Sequence, residues 1–404
     1  MKILFISDNF PPEVNAPATR TVEHCREWVK NGDQVTVITC FPNFPQGKVY
    51  DGYKNRLFQK ENIDGIDVIR VWSYISANQG FFRRTMDYIS FGLMAFFASF
   101  FVKADIVVAT SPQFFAALSG RFVGFFKRRP WVMEVRDLWP ESIKTVGAVK
   151  QSAVIYLFEK LELYLYAKAS KIIVVTDSFK KNLESRGVDS DKVKVVKNGA
   201  NLDLYVNRKK DANLETDLKL KDKYVVGYIG THGLAHSLPF IIDSICEVKD
   251  EEIHFLFVGS GAVKADIVAK AELLNLKNIT FLDPIPKEEV PRYLSLLSLM
   301  LVPLKKSDTF KKVIPSKIFE TCAMQVPILL GVEGEANDLV TEYGVGHTFE
   351  PENKDSFLKE LHVIKTLSKD ECNAMKRNCL SLAEDFDRKK LALSMRQELI
   401  NLVE

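Results

Sequence analysis

The sequence has 404 residues, 47% of them hydrophobic and 26% charged, with a formal net charge of +3. That length exceeds one ordinary core and that composition excludes a disordered chain, so two cores of roughly 150–200 residues are expected. The small net charge gives no ground for a nucleic-acid partner. Six scattered cysteines, Cys25, Cys40, Cys246, Cys322, Cys372 and Cys379, form no CxxC pair and suit a reduced cytosolic chain rather than a structural zinc site.

Met1 leads directly into "KILFIS" (2–7), a strand, with no signal-peptide pattern before it. Further strands are expected at "QVTVIT" (34–39), "DVIRVW" (67–72), "DIVVAT" (105–110), "WVMEV" (131–135), "KIIVV" (171–175) and "KVKVV" (192–196). These runs are continuous, β-branched and bounded by turn residues, as strands buried on both faces should be. Helical patterns fall between several of them, as at 17–31 and 152–169. The alternation predicts a parallel sheet with helices on both faces. The longest apolar run, Ile89–Val102, is too short for the roughly 20 residues that span a bilayer.

The polar stretch 197–223 reads as a connector, after which the series starts again. Strands are expected at "YVVGYIG" (224–230), "IHFLFVG" (253–259), "ITFL" (279–282), "LMLVP" (299–303), "VPILLG" (326–331) and "GVGHTF" (344–349). The prediction is an α/β chain of two doubly wound domains, 1–200 and 201–384, with a last helix at about 385–404 crossing back onto the first. Doubly wound sheets bind ligands at the carboxyl ends of their strands, so the default site is a cleft between the domains.

Five segments carry polar groups at such strand ends. "PPEVNAPATR" (11–20) follows the first strand, and Arg20 either faces a phosphate or solvates a helix. "VRDLWPES" (135–142) crowds Arg136, Asp137 and Glu141 beside a Trp-Pro turn; Asp137 would orient an acceptor hydroxyl and Arg136 would meet a diphosphate. "YIGTHGLAHSL" (228–238) offers Gly230 and Gly233 for close backbone approach, with Thr231 or His232 touching phosphate. His236 lies four residues beyond His232, but no third ligand joins them and no metal is expected. In "FVGSGAVKADI" (257–267), Gly259, Ser260 and Gly261 would admit a nucleotide, with Lys264 in the helix that follows.

The fifth segment, "VIPSKIFETCAMQVPILLG" (313–331), is the most telling. Pro315 and Ser316 begin a helix, with a hydroxyl cap and free amides expected at Ser316, Lys317 and Ile318. Such an end attracts anions, Lys317 adds a full charge, and Glu320 one turn on can accept from two ribose hydroxyls. The alternative is an ordinary capped helix. Two DxD triplets, 189–191 and 385–387, read as turn and cap residues rather than as metal ligands.

At "FPPEVNAPATR", "RDLWPES", "VKNGANLDLY", "YIGTHGLAH", "VGSG" and "PSKIFETCAMQVPIL", taken together and in order, the sequence resembles glycosyltransferase family 4. Those enzymes are retaining and of the GT-B fold, and the resemblance is strongest to the bacterial O-antigen and capsule branch, near N-acetyl-L-fucosaminyltransferases. The resemblance implies two facing Rossmann-like domains with a cleft, Glu320 on the nucleotide ribose, amides around Ser316–Ile318 on the donor diphosphate, and Asn198 and Gly199 shaping the donor side of the hinge. It further implies a UDP-sugar donor and an undecaprenyl-diphosphate-linked saccharide acceptor at the inner face of the bacterial plasma membrane.

The sequence departs from the family at four places. Lys312 stands where a partner glutamate to Glu320 is usual; Thr231, His232 and His236 occupy a region that usually carries Arg and Lys; Asn15 and Ala16 replace a Gly-Gly pair on the acceptor side; and Arg136 replaces a frequent His. These changes allow a metal-free cationic route in which Lys317, with Lys312, stabilises the leaving phosphate.

Phenylalanine-rich "FFRRTMDYISFGLMAFFASFFVK" (81–103) and "FVGFFKRRPW" (122–131) carry basic residues at their ends, and would either lie on an anionic bilayer or pack inside the first domain. A UDP-sugar epimerase of the same architecture is the nearest alternative. A nicotinamide oxidoreductase would need the GxGxxG that the first unit lacks. A two-lobed sugar-binding protein would normally carry an export signal, and a metal-dependent GT-A transferase would need a well-placed DxD.

Overall fold

The computed structural model describes residues 1–44, 46–75, 81–111, 114–138 and 153–404. The chain forms two compact units, one of Met1–Asn198 with Arg388–Glu404 and one of Gly199–Asp387.

The first unit runs β1 (Lys2–Ile6), α1 (Ala16–Lys30), β2 (Gln34–Cys40), β3 (Phe58–Ile63), β4 (Ile66–Val71), α2 (Phe81–Ser99), β5 (Ile106–Ser111), α3 (Phe114–Lys127), β6 (Trp131–Val135), α4 (Ala153–Lys168), β7 (Lys171–Val174), α5 (Asp177–Ser185) and β8 (Val193–Val195). Its sheet has the order β3-β4-β2-β1-β5-β6-β7-β8. Every pair is parallel except β3 with β4. That edge strand, "FQKENI", alternates exposed and half-buried residues and so lacks the apolar run that marks the others.

The second unit runs α6 (Ala212–Asp217), β9 (Tyr224–Ile229), α7 (Leu238–Ile245), β10 (Ile253–Val258), α8 (Lys264–Leu273), β11 (Ile279–Leu282), α9 (Val290–Leu294), β12 (Leu299–Pro303), α10 (Lys317–Ala323), β13 (Ile328–Gly331), α11 (Glu335–Tyr343), β14 (Gly346–Thr348), α12 (Lys354–Lys365) and α13 (Lys369–Asp385). Its sheet, β11-β10-β9-β12-β13-β14, is parallel throughout. The strand order reverses beside β9, so the crevice beyond the ends of β9 and β12 is the switch point where such sheets take ligands.

Residues 199–223 are part of the second unit's fold, not a free connector. Ala200, Tyr205, Leu214 and Leu220 are buried in its core, and Ala200 N–H donates to Phe386 O at 3.1 Å. The last helix, α14 (Arg388–Ile400), packs on α1: Trp28 Nε1 donates to Ala392 O at 2.8 Å, and Met395 and Leu399 join the first unit's core. All six cysteines are free thiols. Among the described residues no helix is long and apolar enough to cross a membrane.

Candidate active site

The second unit's site begins where β9 ends. Gly230 has φ +140°, and a Cβ there would stand 3.2 Å from Lys317 Nζ. The loops after β9 and β10 are zipped together: Gly230 N–H donates to Val258 O at 2.9 Å, His232 N–H to Ser260 O at 2.9 Å, and Val263 N–H to His232 O at 3.0 Å. This pairing corrects the reading of the neighbouring glycines. A Cβ on Gly259 would lie 2.0 Å from Gly230 O, and one on Gly261 would lie 2.4 Å from His232 O. Both are glycines because backbone fills that space, not because a nucleotide needs it. Thr231 and Ser260 are exposed on the two loops, whereas His232 is fully buried. Lys264 is spent within the chain, its Nζ donating to Gly259 O at 2.8 Å and Leu282 O at 2.5 Å.

Helix α10 follows β12 through a 3-10 turn at Phe310–Lys312, which places Lys312 half-buried on the approach to the helix. Ile318, Phe319 and Cys322 anchor the helix in the core, with the Phe319 ring centroid 5.0 Å from that of Phe386 at a tilt of 50°. The start differs from expectation. Ser316 already has helical dihedrals (φ −59°, ψ −27°), so its hydroxyl cannot fold back and makes no capping bond. The Ile318 N–H is also taken, donating to Pro315 O at 3.1 Å. Ser316 and Lys317 N–H find no backbone acceptor among the described residues.

Lys317 is the centre of the arrangement. Its side chain reaches back under Gly230 and sets Nζ 3.9 Å from the centroid of the Tyr228 ring. Nζ is sealed from solvent and has no hydrogen-bond partner. Burial pushes the amine down to about 7, against the opposing pull of the Glu320 carboxylate. The Tyr228 hydroxyl is committed to Thr231 O at 2.6 Å. His232 and His236 flank the same ring, with centroids 5.6 and 6.0 Å away. Burial, then the positive charges of Lys264, Lys317 and His236, hold His232 at about 4; burial and Lys317 do the same to His236. Both ring nitrogens of His232, and Nδ1 of His236, are buried without partners. Glu320 is half-buried one turn along α10. The sum is a set of donors in want of an acceptor, which is the chemistry of an anion receptor.

Sequence reading placed Lys317, Glu320 and Gly230 at this locus but missed Tyr228. A tyrosine inside an apolar strand gives no sign that its face will carry a cation. Among the described residues, no three His, Cys, Asp or Glu side chains converge as metal ligands.

In the first unit the structure overturns several assignments. Arg20 does not face a ligand: it is buried, with Nε on Glu134 at 2.8 Å, Nη1 on Lys197 O at 2.8 Å and Asn198 Oδ1 at 3.3 Å, and Nη2 on Val196 O at 2.9 Å. Burial raises the Glu134 carboxyl, but Arg20 and Arg136 outweigh it and hold the group below its ordinary range. Arg136 is half-buried beside the start of α1. Its guanidinium donates to Pro17 O and Ala16 O, each at 3.1 Å, and closes the start of α1; burial pushes it down to about 10. Asn15 serves as the α1 cap, its Oδ1 accepting from Ala18 N–H at 2.9 Å and its Nδ2 donating to Asn9 at 2.7 Å. A long-range acid such as Glu134, at the far end of the chain segment, leaves no local sign that it will claim Arg20.

Asn198 thus belongs to the Arg20 network, and Gly199 opens the second unit. Asp137 is half-buried just past β6. Glu141 lies outside the described residues. Of the two DxD triplets, Asp189 closes a turn on Asp191 N–H at 3.0 Å, and Asp385 accepts from Tyr343 Oη at 2.8 Å.

Two family models match the chain, a glycosyl transferase 4-like domain over residues 15–199 and glycosyl transferases group 1 over residues 223–365. The chain is 24% identical to the putative colanic acid biosynthesis glycosyl transferase WcaI of Escherichia coli, over 89% of this chain and 90% of that one. It is 23% identical to the probable glycosyltransferase WbjE of Pseudomonas aeruginosa, over 66% and 68%. Among solved structures it resembles a sucrose-phosphate synthase from Thermosynechococcus elongatus, with a TM-score of 0.79, 16% identity and coverage of 99% and 98%. Anabaena HepE, solved with UDP and glucose, superimposes with a TM-score of 0.74 at 15% identity over the whole of both chains. The fold is therefore GT-B, and none of these relatives is an epimerase.

Proposed function

Because the chain is a glycosyltransferase, a 4-like domain followed by a group 1 domain, we propose that it moves a sugar from a UDP-sugar to a lipid-diphosphate-linked saccharide in surface-polysaccharide synthesis. The observation that carries the donor half is the sealed, unpartnered Lys317 amine at the end of β9. A diphosphate seated there supplies the acceptor that the amine, the histidines and the first α10 amides lack. Glu320, one turn on, grips the ribose. The relative solved with UDP and glucose supports a UDP-sugar, and the relative named for colanic acid supports a polysaccharide product.

Transfer proceeds with retention. Cleavage of the anomeric bond places negative charge on the leaving diphosphate, and the fixed positive end formed by Lys317 and the Ser316 and Lys317 amides stabilises it. The leaving phosphate oxygen takes the proton of the acceptor hydroxyl, which Asp137 orients. With that charge supplied by protein, the reaction needs no metal. The donor is an N-acetylated hexosamine or a 6-deoxyhexosamine such as N-acetyl-L-fucosamine.

Transfer from UDP-GlcNAc, UDP-GalNAc and a UDP-6-deoxy-HexNAc to a lipid-diphosphate saccharide tests this. One donor should give a product of unchanged anomeric configuration at a rate indifferent to chelator. Glu320→Ala should lower kcat/KM by roughly 10–100-fold, the worth of a charge-assisted ribose contact. An Ala variant as fast as the parent, or an activity restored only by Mn²⁺ after chelation, would be fatal to the site assignment.

The acceptor's lipid anchor implies a membrane surface, at the cytoplasmic face where UDP-sugars are available. Phe91 and Ala95 bury one side of α2 against the first unit, so the segment is partly core. Its other side, with the end of α3, exposes Phe97, Phe100, Phe101, Phe122, Phe125 and Phe126, with Phe101 89% exposed. Phe96 is their hub, 5.0 Å from Phe100 and 5.9 Å from Phe126. Beside Phe125 and Phe126 a cavity of about 490 Å³ is lined by Arg121, Arg128, Arg129 and Lys168, with no acidic residue. Rings flanked by cations suit an anionic bilayer surface. In flotation with anionic vesicles the protein should rise with the lipid, and replacing Phe97, Phe101, Phe125 and Phe126 by Ser should leave it at the bottom. Equal flotation of both would remove the membrane from the account.

A further inference from the structure

The slot around Lys317 differs from an ordinary phosphate site in one respect: its cation has no hydrogen-bond partner. From β9 it is faced by Tyr228, whose hydroxyl is already bonded to Thr231 O. The loop after β9 contributes His232 and His236, both with buried, unpartnered ring nitrogens. The start of α8 contributes Lys264, itself anchored on two carbonyls and 3.6 Å from the exposed Asp283 carboxylate. Next to His236 in the chain, Ser237 donates its Oγ to Glu352 at 2.9 Å, and the same carboxylate accepts from Lys306 N–H at 3.1 Å. On α10 the Glu320 carboxylate is the opposing charge that Lys317 feels. Arginine, which the guanidinium chemistry keeps charged throughout the accessible pH range, is absent from this set.

Resting on the reading of this site as the seat of the donor diphosphate, we propose that Lys317 is charged by the ligand: a diphosphate binds together with a proton from solvent, and leaves with it. An ammonium sealed over a tyrosine ring, beside a second lysine and two imidazoles, has too little negative charge around it to keep its proton well. Two phosphate charges in the slot reverse that balance. The histidines remain neutral and offer N–H groups, because a second or third positive charge would work against Lys317. The position of the amine near neutrality in the empty protein agrees. Donor capture therefore weakens as the medium becomes alkaline, and UDP release returns a proton.

Calorimetric titration of the whole protein with UDP tests this, near pH 8, where the terminal phosphate of UDP has already lost its proton. Two buffers of different ionisation enthalpy are compared. The heats should differ by an amount equal to about one proton taken up per UDP, and Kd should rise about tenfold per pH unit between pH 7.5 and 9. Lys317→Arg, whose cation cannot be discharged, should bind UDP with no buffer dependence and a flat pH profile. Tight UDP binding by the parent with identical heats in both buffers overturns the proton coupling and leaves the donor site standing. No UDP binding at any pH overturns the donor site and the coupling together.

Discussion

Lys317→Met should weaken UDP capture and slow transfer by about 10²–10³ while making the protein without UDP more stable. The two effects come from one cause. The amine is out of water, over an aromatic face, with no hydrogen-bond partner. Loss of a preorganised charge aimed at a leaving oxygen typically costs about 10²–10³ in turnover, and Lys317 is the central charge of the slot. Stability moves the other way because the fold penalises the charged amine. Its folded value, about 7, lies below the ordinary 10.5. The charged form is disfavoured in the fold, so the penalty is fully present below about pH 7, shrinks as pH rises, and vanishes above the ordinary value. Methionine fills the same channel without it. The gain is on the order of 3 kcal/mol at pH 6, after discounting for water that reaches a relaxed site. The midpoint of the second unit's thermal transition should then rise by several degrees at pH 6 and by little near pH 10. A variant destabilised at pH 6 would show that the amine has a partner in the folded protein.

Arg20→Met should be the opposite kind of change, a large loss of stability in the first unit with UDP binding retained. Arg20 joins Glu134 on β6 to the carbonyls of Val196 and Lys197 after β8, and so ties α1 across the sheet. Removing it takes the hydrogen-bonded partner from the buried Glu134 carboxylate and leaves it the charge of Arg136 alone, a change that costs about 3–5 kcal/mol. Urea unfolding followed by a first-unit signal should show that loss at pH 7. The sign with pH follows from Glu134, whose folded value is depressed by Arg20 and Arg136 despite its burial. Its contribution is present above the ordinary carboxyl value of 4.5 and fades as pH falls through the lower folded value. Parent and variant should therefore converge in acid. Unchanged unfolding at pH 7, or a loss of UDP affinity in the still-folded variant, would contradict the structural role given to this arginine.

The strands were legible because a sheet covered on both faces demands short continuous apolar runs. β3 escaped for the complementary reason. As an antiparallel edge it buries little, so Phe58–Ile63 looks like a polar loop. The polar composition of 197–223 reads as a connector, yet four well-spaced anchors, Ala200, Tyr205, Leu214 and Leu220, bind residues 199–223 into the second core. At the site, charge type and position along the chain marked Lys317 and Glu320. Distance in space was the hidden quantity. Arg20 and Arg136 carried the same charge as Lys317 and sat at comparable strand ends, but acids and carbonyls far along the chain had already claimed them. Lys317 instead faces an aromatic ring, with Gly230 making room for it.

The most direct test is a crystal structure of the protein with UDP bound. The phosphates should lie against Lys317 Nζ at the end of β9, with the ribose hydroxyls on Glu320. Phosphates found elsewhere, with the Lys317 amine still sealed beneath Gly230, would contradict the account.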